Sequence, residues 1–130
     1  MIQKLAWAFA ATFVVVGILG FVPGVTSNGM LLGIFMVDGL HNIIHLLSGI
    51  LAGLAAMGSG SYARLYFKVF GVVYALVTIL GFTMDGSVLG LIMVNVADNV
   101  LHLVIAAVAL WAGFGMKEGA PMMNRPMGAM

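Results

Sequence analysis

Leu31-Leu-Gly-Ile-Phe-Met-Val-Asp-Gly-Leu-His-Asn-Ile-Ile-His-Leu46 and Val88-Leu-Gly-Leu-Ile-Met-Val-Asn-Val-Ala-Asp-Asn-Val-Leu-His-Leu103 are two copies of one pattern. Seven of the 16 positions are identical, and most of the others exchange one apolar residue for another. Apolar segments match by chance more easily than mixed ones. The Asn and His shared at fixed spacing set this match apart. A shorter match precedes each copy: Gly17-Ile-Leu-Gly-Phe21 and Thr78-Ile-Leu-Gly-Phe82. The chain therefore reads as one unit used twice.

Each unit holds two apolar stretches of spanning length, taking about 20 residues per crossing. The first stretch runs roughly from Leu5 to Val22 and stops at Pro23-Gly24. The second runs from Gly39 to Met57, with Asp38 in place as N-cap. After the flexible turn Gly58-Ser-Gly-Ser61, the third runs from Tyr62 to Phe82 and the fourth from Val96 to Met116. Lys4 and the apolar run behind it imitate a signal peptide. No A-x-A cleavage pattern follows, so the segment reads as the first spanning helix. The fold expected is all-α: a polytopic membrane protein of four transmembrane helices, built as two tandem helix-pair repeats of parallel topology. Repeat one covers about 5–57 and repeat two about 62–116, within one domain 1–116. A tail, 117–130, follows. Each repeat crosses an even number of times, so an axis along the membrane normal relates the two. Two shorter apolar pieces, 30–37 and 88–94, are too short to span. They fit interfacial or re-entrant segments, or extensions of the helix that follows.

Composition agrees. Of 130 residues, 63% are hydrophobic and 7% charged, against about 25% charged in soluble domains. Five basic and four acidic residues cannot cover the surface of a soluble domain this size. With a net charge of +1, nucleic acid is not an expected partner. The absence of cysteine removes disulfides, thiolate metal sites and cysteine nucleophiles. Lys4, Arg64, Lys68, Lys117 and Arg125 all fall at the termini or the middle loop, on one side of four crossings. The positive-inside rule places both termini and the tail in the cytoplasm. Asp38, Asp85 and Asp98 lie toward the opposite face.

Residues three and four apart share a helix face. Asp38, His41, Asn42 and His45 form one polar stripe, and Asn95, Asp98, Asn99 and His102 form its equivalent. Polar groups are costly in lipid, so both stripes are expected to face protein. Small residues continue the same faces: Gly49 and Gly53 after His45, and Ala106, Ala109 and Gly113 after His102. Such faces permit close backbone approach, and helices two and four are expected to meet along them. Four readings of the cluster stand open. The side chains can hydrogen-bond between helices as glue. His45 and His102, with His41, can ligate a tetrapyrrole or a metal. His41 and His45 can chelate zinc, with the remaining ligands supplied from elsewhere. Chained His and Asp can carry protons or ions. Finally, the cluster can bind a small molecule without metal. Among ligands a tetrapyrrole comes ahead of zinc; no dedicated metal set is assigned, and the cofactor is left unidentified. No nucleophile–base–orienter constellation is apparent, so no enzyme is expected.

Other features read more plainly. Trp7, Trp111, Tyr62 and Tyr66 fit an interfacial aromatic belt, and Arg64 and Lys68 fit topology signals and lipid-phosphate contacts. Met116, Met122, Met123, Met127 and Met130 offer soft ligands for Cu(I), but their setting reads first as a flexible tail.

Gly20-Phe-Val-Pro-Gly24, His41-Asn-x-x-His-Leu46, Arg64-Leu-Tyr-Phe67 with Gly71, and Ala97-Asp-Asn-x-Leu-His102 together resemble a bacterial family of small four-helix membrane proteins, domain of unknown function 4383. The resemblance runs from about Phe13 to Ala112. It implies the four-helix fold and a multi-pass place in a bacterial inner, or thylakoid-type, membrane. It assigns no activity, cofactor or site role. The function expected is that of a non-enzymatic accessory or stabilising subunit of a larger respiratory or photosynthetic membrane complex. Lipid and other membrane subunits, or a second copy, would be its partners. The alternatives are a haem-, chlorophyll- or metal-binding protein using His45 and His102, and then a proton or ion transport component.

Overall fold

The structure is a computed structural model and describes residues 1–116. The tail, with Lys117, Arg125 and four of the five C-terminal methionines, lies outside the described residues. Four helices are long and apolar enough to cross a membrane: α1 (Ile2–Leu19), α2 (Gly39–Met57), α3 (Gly60–Thr83) and α4 (Val96–Leu110), the last prolonged by a π-helical turn, Trp111–Gly115. Large apolar side chains such as Val15, Leu47, Leu76 and Val104 stand exposed along them. That inversion of the usual soluble pattern places the helices in a lipid environment.

The helix ends follow from local chemistry. α1 stops three residues short of the expected Val22. Pro23 cannot continue the ladder, and it pushes Val22 out of helical backbone. The last turn tightens instead, with Phe21 N–H bonding Ile18 O at 2.9 Å. The Leu19 carbonyl accepts the Val22 N–H at 3.2 Å and, as a second bond, the Thr26 hydroxyl at 2.9 Å. Asp38 is the N-cap of α2, as expected; its Oδ1 accepts the His41 N–H at 2.8 Å. Asn95 and Asp98 make a reciprocal capping box on α4.

The pieces 30–37 and 88–94 are not helical extensions. Each folds into a tight β-hairpin at the end of the bundle. In the first, β1 (Thr26–Ser27), β2 (Met30–Leu31) and β3 (Phe35–Met36) pair antiparallel, with Leu31 opposite Phe35. In the second, β4 (Ser87–Val88) pairs with β5 (Ile92–Met93), with Val88 opposite Ile92. The turns Leu32-Gly33 and Leu89-Gly90 carry φ of 55° and 69° in both copies. Two successive positive φ angles are the condition of a hairpin turn whose twist matches its strands. The hairpins bury Leu31, Val37, Val88, Ile92 and Val94 and pair backbone groups that a membrane end leaves without partners. Element order is thus the same in both halves: helix, hairpin, helix.

The tight helix pairs are α1 with α2 and α3 with α4. Here the expectation for the small-residue faces needs correction. Gly49 lies against Val14 and Ala10 of α1, and a Cβ there would sit 2.7 Å from Val14 Cγ2. Gly53 also faces α1, near Ala10 and Trp7. Gly113 meets the backbone of Lys68 on α3, and Ala106 packs with Phe13 and Tyr74. Ala109 joins the cluster of Ala63, Phe67 and Ala112. Gly49, Gly53 and Gly113 therefore seat each helix on its sequence neighbour. Helices α2 and α4 are not in close backbone contact along their length; they meet through side chains near the hairpin end.

A candidate ligand site of three histidines

Both polar stripes turn inward, as expected. His41, His45 and His102 are 1%, 4% and 2% exposed. Asn42, Asp98 and Asn99 are buried with them. The ring centroids of His41 and His45 are 4.5 Å apart, one helical turn along α2. His102 reaches across from α4, with its centroid 5.6 Å from His41 and 6.1 Å from His45. One ring nitrogen from each histidine lies within 4.8 Å of one from each of the others. Zinc holds imidazole nitrogens at 2.0–2.1 Å, so three nitrogens on one tetrahedral ion stand about 3.4 Å apart. Ring shifts on the order of an ångström would bring the three nitrogens to that spacing. His102 is thus the residue that stands beside the His41–His45 pair where a further ligand would be needed.

The hairpins orient this cluster. His41 Nδ1 lies 3.0 Å from the carbonyl oxygen of Met93 in β5. A carbonyl only accepts, so Nδ1 carries the proton and Nε2 keeps its lone pair. That Nε2 is buried with no hydrogen-bond partner among the described residues, as are Nδ1 of His45 and Nδ1 of His102. A bond from one ring nitrogen to a backbone carbonyl is the usual way of fixing which nitrogen is free to ligate. The carboxylates cross between halves. Asp38 of the first half accepts the Met93 N–H of the second. Asp98 of the second accepts the Met36 N–H of the first at 3.0 Å. Asn95 adds a bond from Nδ2 to the Ile34 carbonyl at 2.9 Å.

Asn42 and Asn99 stand apart from the histidine triad. Asn99 Nδ2 donates to the carbonyl of Gly81 on α3 at 3.0 Å. Asn42 presses on Gly20 so closely that a Cβ there would fall 1.9 Å from its Oδ1. Asn99 makes the interhelical bond the glue reading expects, within its own half, whereas Asn42 packs on Gly20 with its Oδ1 buried and without a hydrogen-bond partner among the described residues.

Three contributors escaped the sequence reading. Tyr74 is buried with its ring 5.7 Å from His102, and Phe13 stands 5.7 Å from His45. Tyr74 and Phe13 lie 5.4 Å apart and floor the site. Ser48 Oγ and Tyr74 OH share a hydrogen bond of 2.9 Å. A signal was available: Ser48 follows His45 by three on the same face, and Tyr74 is the repeat partner of Phe13. Tyr66 is not a belt residue. It is buried, and its hydroxyl donates to the Ser48 carbonyl at 2.9 Å. Arg64 also turns inward, donating to the Gly113 carbonyl at 3.2 Å, while the Lys68 ammonium sits 5.4 Å from the Phe114 ring centre.

A cavity of about 160 Å³ opens beside the three imidazoles, lined also by Ser48 and Tyr74. Pockets for drug-sized ligands run from about 300 to 1,000 Å³. The space suits an ion with a small co-ligand better than a macrocycle. No curated protein and no solved structure matches this chain. The family model described as Domain of unknown function (DUF4383) matches residues 3–115, and on that match the chain belongs to this family.

Proposed function

We propose that this multi-pass membrane protein binds one divalent first-row metal ion, with zinc the first choice, through His41, His45 and His102. The observation that carries the reading is the convergence of three buried imidazoles, each with a nitrogen that has no hydrogen-bond partner among the described residues. Buried polar atoms are nearly always satisfied, and an orphaned set calls for an explanation. Imidazole suits zinc, copper, iron and nickel. Three neutral ligands leave the ion's two charges to be balanced in a low-dielectric setting. The Asp38 and Asp98 carboxylates, both at the hairpin end, supply that balance. Three protein ligands leave a fourth position open, the pattern of ions that take an exogenous ligand. The protein is then read as a metal-binding component of the membrane. Any role as an accessory subunit would be built around this centre. The small cavity ranks an ion ahead of a tetrapyrrole. Lys4, Arg64 and Lys68 at the end opposite the hairpins support, by the positive-inside rule, a cytoplasmic place for that end and an outer-leaflet place for the site.

The test is zinc titration of the chelator-treated protein in detergent, with bound ion counted by equilibrium dialysis. One ion per chain is expected for the wild type. His41→Ala, His45→Ala and His102→Ala should each weaken binding at least tenfold. Equal binding by all three variants would remove the reading.

A further inference from the structure

The two halves of the chain are each tightly built and more loosely joined. At Gly17, Gly20 and Gly49 an added Cβ would fall under 3.0 Å from atoms of the other helix of the first half, and at Gly71, Gly81 and Gly113 from atoms of the other helix of the second. Among the described residues no glycine on a helix comes that close to the opposite half. Close backbone approach thus fastens α1 to α2 and α3 to α4. The seam between the halves is built differently. Far from the hairpins, Ala6, Ala52 and Ala56 share a cluster with Ala63, Ala109 and Ala112, side chains that each bury little apolar area. Midway, Ser48 of the first half is hydrogen-bonded to Tyr66 and Tyr74 of the second. At the hairpin end the seam holds the cavity of about 160 Å³, with α2 on one side, α3 and β5 on the other, and the imidazoles of both halves around it. Space there lets one half settle toward the other without forcing packed side chains aside, which a close-packed interior would resist.

We propose that the ion is a clamp between the two halves, so that metal occupancy sets how firmly the hairpin end of the seam is closed. His41 and His45 grip it from the first half and His102 from the second. The inference rests on the metal reading: without an ion at the three histidines there is no clamp. The uneven ligand set carries it. The first half alone offers two imidazoles one helical turn apart. The second offers one, because Asp98 stands where the first half has His41. Neither half by itself reaches the three protein ligands of an open zinc site. Only the joined halves do, so closure of the seam raises metal affinity and the metal strengthens the seam by the same factor. The bonds across this end run from Asp38 and His41 to Met93, from Asp98 to Met36 and from Asn95 to Ile34. Each joins a helix start to the hairpin of the other half. A direct tie from α2 to α4 is left to the ion.

The experiment uses the full chain in detergent, with a protease site placed in the turn Gly58-Ser59-Gly60-Ser61. The folded protein is cut there, and exchange of its fluorescent first half for unlabelled first half is timed with zinc and with a chelator. Zinc should slow the exchange at least tenfold. Magnesium, which prefers oxygen ligands, should not. His102→Ala, or His102→Gln should the first not fold, should abolish the zinc effect. The uncut protein gives a second reading should the cut one not hold together. Hydrogen exchange at the Met36 and Met93 amides, which bond across the seam, should slow at least tenfold with zinc, and amides in the middle of α1 should slow less. One zinc bound per chain with both rates unchanged would overturn the clamp and leave the metal site standing. Equal slowing by zinc in the His102 variant would also overturn it, since the second half would then hold no part of the ion. A protein that binds no zinc would remove the metal reading and the clamp together.

Discussion

His41 of helix α2 donates its Nδ1–H to the carbonyl of Met93, 3.0 Å away in the hairpin of the other half. The Met93 N–H is held in turn by Asp38, one turn before His41 on α2. Both backbone polar groups of one hairpin residue are thus bound by a single helix start. The second half returns part of this arrangement, with Asp98 holding the Met36 N–H. The two halves are keyed together at the end where the histidines meet.

Removing one key should be costly. Asp98→Ala strips the acceptor from the N–H groups of both Met36 and Asn95. Each of these part-buried donors left unpaired costs up to about 1–3 kcal/mol. A loss of about 2–6 kcal/mol is expected on that count, read as a lowered unfolding midpoint in detergent. Asp98→Asn, which keeps a carbonyl oxygen, should lose less. Equal, small losses for both would mean the cross-bond carries no weight.

The glycines sort by what faces them. At Gly49 a Cβ would come within 2.9 Å of the Val14 backbone nitrogen, and at Gly113 within 2.7 Å of that of Lys68. Neither neighbour can step aside alone, so Gly49→Ala and Gly113→Ala should each destabilise by about 1–3 kcal/mol. At Gly39 an added Cβ would meet no other group within 4 Å among the described residues. Gly39→Ala should be neutral or stabilising by up to about 1 kcal/mol, through the unfolded chain. Thermal unfolding of the three variants side by side checks the ranking.

Leu32 and Leu89 hold left-handed backbone at the first turn position of their hairpins. They are 62% and 60% exposed. For a residue with a Cβ that conformation costs roughly 1–2 kcal/mol, part of which glycine's own entropy offsets. Leu32→Gly and Leu89→Gly should therefore raise the unfolding midpoint slightly. Leu89→Val, with a β-branch, should lower it. A drop for both glycine variants would show that the leucine side chains anchor the tips.

Much of this architecture was legible in the chain. Helix α2 was expected at Gly39–Met57 and is found there, because hydropathy and the Asp38 cap agree. The two polar stripes were legible from their three-and-four spacing, and both face inward. The hairpins were not. Strands of two residues are too short to show alternation, and a Leu-Gly turn that forces leucine into left-handed backbone runs against leucine's preference. The partners of Gly49 and Gly113 were also hidden. A small-residue face announces close packing but not against which helix, and here it is the neighbour in sequence. The third histidine was visible as a residue, but its approach to His41 depends on side chains crossing between helices whose backbones stay apart.

X-ray absorption of the zinc-loaded protein tests the central claim most directly, since it reads the ligands themselves. The account predicts three imidazole nitrogens at 2.0–2.1 Å with one further light atom, and loss of one imidazole contribution in His102→Ala. A shell made only of oxygen, or a spectrum that His102→Ala leaves unchanged, would contradict it.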